Sequence, residues 1–567
     1  MSAGSTLVAR AADEIHISVK DYGGESGDVN VVSVNAQNVI KFSADGSIYD
    51  ADNDDLTTEF WNFTTGELHL TAGDHIGSAG HFVEIDLSGK IYANAGLNIY
   101  LSEVGQETPD GGVMLVGNIV STGGNANLKA AASIFDGDAD ILIDVAANSI
   151  WLNAGGTIGL PGDDLDIDTD GDSPTLGTLT STSVGNTYII EVLGDLRLYT
   201  VGTDNGGTAF IAALTGSILN GAPVGVSNVT SGSTRLYAAD DIGDVAKPLF
   251  TTVGNLQGRS TTGSTYIDNQ GALNVTTVNQ PGQSTNEDGI LAGGEVIVDA
   301  HSPITVSSDI NAGSDVILTS ADNTANDNIT VLTGKQIVTT GGSIILRSGD
   351  DIVIEANALL DADQGISLTA DYGSTDAALG SITITDAELT AGKAIIASAT
   401  GNILIQSAAM LTADTSISLA ADGNITLQSG SELDAGTFVL VDAGNDILLQ
   451  GGSRVEAGTT VTLTADNNVT VHDGAVVVAG TNVHITGDVV LIDDAVVTAD
   501  AGSITIDGTS ITITDSALVT AQDDVSAAAT SFVLIEDSSV VTAQTGQVSL
   551  TGGTTVHRSE ERRVGKE

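Results

Sequence analysis

The sequence predicts an all-β chain folded as a parallel β-helix, a solenoid whose coils are about 22 residues long. The first reason is a fixed repeat, in which alanines recur every 22 residues: Ala391, Ala413, Ala435, Ala457 and Ala479. The second is that apolar residues alternate with Thr, Ser, Asp and Gln inside each repeat, which is the period of a half-buried strand. The composition agrees, since 68 Gly, 7 Pro and 4% aromatic residues suit a tightly turning chain with small interior side chains.

Three apolar series keep the 22-residue step and predict three short strands in each coil. They are Ile395, Ile417, Val439, Val461 and Val483; Ile403, Ile425, Ile447 and Val469; and Leu411, Leu433, Val455 and Val477. One coil cannot bury its own apolar face, but stacked coils turn each series into a continuous ladder. Polar turn positions keep the same step, so we expect a ladder of amides hydrogen-bonded along the axis at Asn402, Asn424, Asp446 and Asn468.

A longer repeat occupies the first half of the chain. The segment from Leu70 to Gly77 returns at residues 152–159 and 236–243, with the shared pattern L-x-A-x-x-x-I-G. An aromatic-containing strand follows each copy, around Tyr100, Tyr188 and Tyr266. Division by the coil length predicts about four coils in each long unit. The sequence thus predicts that residues 1–288 form three repeats of about 84 residues, and that residues 289–557 form single coils of about 22 residues.

The last ten residues, 558–567, break the composition of everything before them. Four of the 17 basic residues fall in this segment, which has no strand pattern. The segment resembles the translation of a sequencing adapter, so we expect a non-native tail on a fragment of a longer protein. A genuine basic interaction arm is the alternative.

The charge limits the classes of partner. Asp and Glu number 74 against 17 Lys and Arg, a net charge of −57. Such a surface repels nucleic acid and anionic lipid headgroups and attracts cations. The chain has no cysteine, which excludes disulfides, and no apolar run of the length that spans a bilayer.

An acidic turn is the candidate metal site. Its D-x-D-x-D-G pattern resembles the start of a calcium loop and supplies four candidate ligands: Asp166, Asp168, Asp170 and Asp172. The position of the usual bidentate Glu is Gly177, and strands flank the turn, so this is not an EF-hand. A solvated acidic turn is the alternative. Two more acidic clusters are weaker candidates: Asp50, Asp52, Asn53, Asp54 and Asp55; and Asp136, Asp138 and Asp140.

Other chemistry has less support in the sequence. His69, His75 and His81 are six residues apart, wider than zinc pairs prefer, and are expected to be surface histidines. Trp61 and Trp151 are expected to pack in the coil rather than to stack on sugars. Acidic pairs fall mostly at turns and no nucleophile or phosphate-loop signature occurs, so no catalytic residue is expected. These pairs are Asp240–Asp241, Asp350–Asp351, Asp493–Asp494 and Asp523–Asp524.

The L-x-A-x-x-x-I-G units and the G-[ND]-[IV]-x-[LIV] coils resemble the repeat regions of giant bacterial adhesins similar to filamentous haemagglutinin. The resemblance covers most of residues 30–557. It implies a right-handed helix, in agreement with the general chirality of parallel crossovers. It also implies a non-enzymatic stalk, secreted or displayed on the bacterial outer surface, that mediates attachment to a glycan or protein, or aggregation. The alternatives are a polysaccharide-cleaving β-helix enzyme, either lyase or hydrolase, and a calcium-stabilised secreted repeat protein.

Overall fold

The computed structural model describes residues 6–22, 26–51, 61–105, 111–170, 176–204, 206–279, 289–323, 326–373 and 378–558. In these ranges the chain is all-β, without a helix, and forms a parallel β-solenoid of about 23 turns with coils roughly 22 residues apart. The predicted fold class is confirmed. The chain divides into two compact units, Met1–Gln270 with Thr277–Glu287 (unit 1) and Gly271–Thr276 with Asp288–Glu567 (unit 2). The predicted non-native tail lies outside the described residues, except for Arg558.

The strands of unit 1 are short, and turns or loops separate them. They are β1 Thr6–Arg10, β2 Glu14–Val19, β3 Val29–Asn35, β4 Val39–Ala44, β5 Ile48–Asp50, β6 Phe63–Thr65, β7 Glu67–Ala72, β8 Val83–Leu87, β9 Lys90–Ala95, β10 Ile99–Glu103, β11 Met114–Ser121, β12 Ala126–Ala130, β13 Ile134–Asp136, β14 Val145–Ala146, β15 Ile150–Ala154, β16 Leu165–Asp168, β17 Leu179–Ser183, β18 Thr187–Glu191, β19 Leu196–Thr203, β20 Thr208–Ala213, β21 Ile218–Asn220, β22 Val229–Ala238, β23 Leu249–Ser260 and β24 Thr265–Asn269.

Two ladders of parallel strands run through unit 1. One joins β2, β4, β7, β9, β11, β14, β16, β18, β20 and β22, and the other joins β3, β6, β8, β10, β12, β15, β17 and β19. Apolar side chains from both ladders point inward. Ile40, Leu68 and Ile91, in register on three successive strands, are fully buried. The stacking of like residues makes the interior continuous from coil to coil.

The long repeat does not contain a whole number of coils. Seven successive strand pairings lead from Ile76 through β10, β12, β15, β17, β19 and β21 to Ile242. Two long repeats therefore make seven coils, or three and a half in each, slightly fewer than the predicted number of about four. Because each repeat ends half a coil out of phase, Ile158 lies on the other ladder, paired with Ile134 and Thr187.

The strands of unit 2 follow a shorter and more regular repeat. They are β25 Leu273–Val275, β26 Ile290–Ala292, β27 Val296–Ala300, β28 Ile304–Val306, β29 Ile310–Ala312, β30 Val316–Ser320, β31 Ile329–Val331, β32 Gln336–Thr339, β33 Ile344–Ser348, β34 Ile352–Ile354, β35 Leu359–Ala362, β36 Ile366–Ala370, β37 Ile382–Thr385, β38 Glu388–Ala391, β39 Ala394–Ala399, β40 Ile403–Gln406, β41 Met410–Ala413, β42 Ser416–Ala421, β43 Ile425–Leu427, β44 Glu432–Ala435, β45 Phe438–Ala443, β46 Ile447–Leu449, β47 Arg454–Ala457, β48 Thr460–Ala465, β49 Asn468–Val471, β50 Val476–Ala479, β51 Asn482–Asp493, β52 Val496–Ala499, β53 Ile504–Thr514, β54 Leu518–Ala521, β55 Val525–Ile535, β56 Val540–Ala543, β57 Val548–Gly552 and β58 Thr555–Arg558.

Three ladders run through unit 2, one for each apolar series of the sequence. Ile395 pairs with Ile417 and then Val439 in the first ladder, and the other two series stack in the same way. The turn ladder is also confirmed, and the expected amide bond forms at one step, where the Asn468 side-chain amide donates to Asp446 Oδ1 at 2.7 Å. The side-chain oxygens of Asn402 and Asn424 accept the backbone N–H of the next coil at 2.8 and 3.1 Å. At these two steps, side-chain oxygens accept hydrogen bonds from backbone N–H groups of the next coil.

Candidate functional site

In each long repeat, two successive coils have an inserted loop, and both loops lie before strands of the same ladder. In the second repeat the first loop, residues 137–143, lies between β13 and β14, and the second loop, residues 159–164, lies between Ile158 and β16. Each second loop closes with a small antiparallel bridge: Ser78 with His81, Leu160 with Asp163, and Asp244 with Lys247. The two loops interrupt adjacent coils, which brings their residues together on one flank.

The Ile-Gly pair of the sequence motif is where each second loop begins. Gly77, Gly159 and Gly243 have φ of +70°, +63° and +74°, a region that L side chains rarely adopt. A Cβ at these positions would lie 2.6, 2.2 and 2.3 Å from the carbonyl oxygen of the next coil's tyrosine, in the order Tyr100, Tyr188 and Tyr266. The glycine of each L-x-A-x-x-x-I-G motif therefore packs against the backbone of the tyrosine that follows it in the sequence, and this contact occurs in all three long repeats.

A buried asparagine ties the two loop-bearing coils of the first repeat together. The Asn62 amide donates to the Val31 carbonyl and to Asp50 Oδ1, both at 2.9 Å. Its Oδ1 accepts the backbone N–H of Glu84 at 2.8 Å. One side chain therefore satisfies groups on three successive coils.

Asn228 does the same in the third repeat. Its amide donates to the Leu198 carbonyl at 2.7 Å and to Asn220 Oδ1 at 3.0 Å, and its Oδ1 accepts the backbone N–H of Phe250 at 2.9 Å. The bonding pattern matches that of Asn62 partner for partner.

The second repeat has a carboxylate in this place. Asp144, only 2% exposed, accepts the backbone N–H of Asp166 at 2.9 Å, as the asparagines do with their own partners. Where the asparagines donate, Asp144 faces the carboxyl group of Asp136. Burial, and then the charge of Asp136, raise the pKa of Asp144 to about 8. At a pH below this value, the protonated carboxyl group of Asp144 can donate to Asp136, as the amides of Asn62 and Asn228 donate to Asp50 and Asn220.

The rest of the acidic group extends into the second loop. Burial, followed by the charges of Asp136 and other nearby aspartates, raises the pKa of Asp166 to about 7. The pKa of Asp163 is raised by burial and by Asp136 as well. Asp138 forms an ion pair with Lys90. Two acidic clusters that are separate in the sequence, at 136–140 and 163–166, therefore form one group in space.

The four predicted calcium ligands do not share one environment. Asp166 is buried, whereas Asp168 is half-buried and its Oδ1 accepts the Asp170 N–H at 3.2 Å. Asp170 Oδ1 accepts the Gly177 N–H at 3.0 Å, and Asp172 lies outside the described residues. In the described ranges, no group of three or more His, Asp or Glu side chains is arranged to hold a metal. Calcium binding stays a prediction.

The other residues singled out in the sequence, namely the first acidic cluster, the histidines and the tryptophans, lie elsewhere in unit 1. Of the first acidic cluster, Asp52, Asn53, Asp54 and Asp55 lie outside the described residues. His69 stacks on Tyr92 at 4.6 Å and contacts Glu67, whereas His75 Nδ1 accepts the Asn98 N–H at 3.2 Å. The half-buried Trp151 ring lies 6.3 Å from that of Phe82.

A second set of buried polar residues was missed in the sequence. It lies three residues after each repeat tyrosine: Glu103, Glu191 and Asn269. Glu191 accepts the N–H of Thr169 at 2.9 Å, and Asn269 Oδ1 accepts that of Val253 at 3.0 Å. Burial raises the pKa of Glu191 well above its usual value. The pattern Y-x-x-[EN], repeated with the long period, was the available signal.

Three aspartates from the acidic pairs of the sequence hydrogen-bond to the next coil. Asp241, Asp351 and Asp524 each accept a backbone N–H one coil on, from Ser264, Ser381 and Gln547, at 2.7, 2.8 and 2.7 Å. These carboxylates belong to the turn ladder.

Comparison with known proteins gives no further guide. The chain matches no family model, no curated protein and no solved structure. In the part of the chain that the structure describes, no helix is long and apolar enough to cross a membrane.

Proposed function

We propose that the chain is part of a non-enzymatic, adhesin-type stalk, secreted or displayed on a bacterial outer surface, that mediates attachment or aggregation. The observation that carries the proposal is the continuity of coil-to-coil bonding within each unit. Turn side chains such as Asn402, Asn424 and Asp241 are used for hydrogen bonds to the next coil. Because strand-to-strand bonds in a solenoid point along its axis, an axial load on one unit is shared by all bonds at one coil boundary.

Adhesion to surfaces tests this proposal. Beads coated with the purified chain should be retained under flow on glycan-coated or protein-coated surfaces, or should clump with each other, while albumin-coated beads do neither. Failure of the coated beads to adhere to any surface and to each other would contradict the adhesive function.

One observation favours polysaccharide hydrolysis as a second candidate. Acids with raised pKa values gather at catalytic sites, and Asp144 and Asp166 form such a pair. However, they are 2% and 5% exposed, which denies a polymer access. Asparagines fill the place of Asp144 in two other repeats, which points to a structural role. Release of reducing ends from a polysaccharide, abolished by Asp166→Asn, would establish the enzyme and overturn the stalk.

Calcium is proposed as a stabilising ion at Asp166, Asp168, Asp170 and Asp172. The support is the density of carboxylates here on a chain of net charge −57. A ligand that binds only the folded state raises the unfolding temperature. Thermal unfolding in calcium and in EDTA should therefore differ for the wild type, and the difference should shrink in Asp168→Asn. Equal unfolding temperatures in the two conditions would rule out calcium as a stabilising ion.

A further inference from the structure

An uncharged surface patch covers the last four coils of one ladder in unit 2. We call it the neutral strip. It consists of the outward-facing residues of β50, β52, β54 and β56: Val476, Val478, Val496, Thr498, Leu518, Thr520, Val540 and Thr542. Parallel register aligns them in two straight rows, Val476 to Val540 and Val478 to Thr542. Five of these eight side chains are aliphatic and the other three are threonines.

Charges border the strip on two sides. In the two preceding coils of the same ladder, the equivalent positions hold Glu432, Arg454, Asp434 and Glu456. The turns that precede the four strands carry a row of exposed aspartates: Asp473, Asp494, Asp515 and Asp537. An apolar centre inside a charged rim is the usual anatomy of a protein interface.

We propose that the neutral strip is the surface through which two copies of this chain associate face to face. Two copies that each carry a net charge of −57 repel each other over charged surface, so contact is favoured where charge is absent. The rows of both copies share one spacing, that between hydrogen-bonded strands, which lets the side chains of two flat sheets interdigitate. A second copy therefore matches the strip in both charge and spacing.

The size of the strip sets the strength of the association. Eight partly buried side chains offer less area than the roughly 800 Å² per partner of a standard stable interface. The free chain is therefore expected to associate weakly. Copies anchored side by side, as in the proposed adhesive function on which this biological role rests, gain effective concentration without any new contact.

Charge also selects the orientation of the two copies. Five aspartates lie within three residues before the four strands, at one edge of the strip, whereas three lie within three residues after them, at the other edge: Asp500, Asp523 and Asp524. A two-fold axis along the solenoid places each aspartate row against the less acidic edge of the partner. Antiparallel axes would place the two aspartate rows against each other. The parallel arrangement is therefore favoured.

Sedimentation of the full chain tests the contact. Raising NaCl from about 0.01 to 1 M shortens the screening length from about 30 to 3 Å, so dimerisation should strengthen with salt. Leu518→Lys, at a site 38% exposed, should weaken dimerisation on the order of tenfold. Val489→Lys, at a 42% exposed valine on another ladder, should leave it unchanged. A monomer at every salt concentration, or equal effects of the two variants, would overturn the proposal.

Cross-linking tests the orientation. Because the chain has no cysteine, Val540→Cys introduces one unique thiol. Parallel copies place this thiol near its counterpart on the same coil, so a short bis-maleimide should link two chains at concentrations where the dimer sediments. Absence of linkage there would rule out the parallel arrangement. Neither readout depends on adhesion: beads that fail to adhere would contradict the proposed function and leave the dimer measurement standing.

Discussion

Asp144 holds the place that Asn62 and Asn228 hold in the other long repeats, but without an amide to donate. Its folded-state pKa, about 8, lies above the usual value of 3.8. A carboxyl group whose pKa is raised by folding contributes stability that is fully present below the unfolded pKa and is lost as pH rises through the folded pKa. The wild type should therefore lose stability between about pH 4 and pH 8.

Asp144→Asn should remove much of this loss, because an amide can donate to Asp136 at any pH. We expect the variant to be more stable than the wild type by on the order of 2 kcal/mol at pH 8, with a smaller difference at pH 5. Urea unfolding at the two pH values measures the difference. Asp140→Asn, at an exposed position of the same cluster, serves as the control and should change little. A variant less stable than the wild type at pH 8 would contradict the idea that an amide at position 144 can take the place of the protonated carboxyl group.

Substitution of two glycines in the loop at residues 159–164 distinguishes the cost of backbone strain from the cost of a steric clash with another backbone segment. Gly159 and Gly162 both have positive φ, but only Gly159 approaches another backbone, since a Cβ there would lie 2.2 Å from the Tyr188 carbonyl oxygen. Gly162→Ala should cost about 1 kcal/mol from strain alone, whereas Gly159→Ala should cost about 3 kcal/mol or prevent local folding. Thermal unfolding compares them. Equal losses would show that the contact with Tyr188 has no role.

Residues of this kind lie beyond what the sequence could predict. The role of Asp144 depends on which residues the coil register brings beside it, 8 and 22 positions away in the chain. The repeated Y-x-x-[EN] pattern marks the position of Glu191, but the pattern does not show that Glu191 is buried or that it accepts the N–H of Thr169. A sequence pattern does not show which residues of neighbouring coils will lie beside a given side chain.

At the scale of the element, loss of one hydrogen bond in the turn ladder is expected to have a local effect. Asn424 Oδ1 accepts the Asp446 N–H at 3.1 Å, one coil on. Asn424→Ala leaves that N–H without its acceptor, at a cost of about 1 kcal/mol. Hydrogen exchange should show faster exchange at Asp446 and little change two coils away. Thr426→Ala, on the outer face of the adjoining strand, is the control; equal acceleration of Asp446 exchange in both variants would argue against a specific bond.

The elements of unit 2 were predictable because their period is strict. Ile395, Ile417 and Val439 stack as the 22-residue step requires. In unit 1 the loops lengthen some coils without adding a turn, as the 29-residue step from Ile150 to Leu179 illustrates. Division by a constant coil length therefore overestimates the number of coils in each long repeat of unit 1.

At the scale of the molecule, the proposed stalk depends on an uninterrupted stack of coils in register. Ser418 and Ser526 lie on the outer face of one ladder of unit 2, separated by five pairing steps through Leu440, Thr462, His484 and Thr505. Five steps of about 4.8 Å place their backbones about 24 Å apart. Both positions suit labelling, because the native chain has no cysteine to compete.

The most direct test is a distance measurement by pulsed electron paramagnetic resonance on the Ser418→Cys, Ser526→Cys double variant carrying spin labels. The labelled chain should be diluted with unlabelled chain, so that distances between copies do not contribute. The solenoid predicts a single narrow distribution near about 24 Å. A broad distribution, or a distance that five stacked coils cannot produce, would contradict the solenoid and with it the proposed stalk.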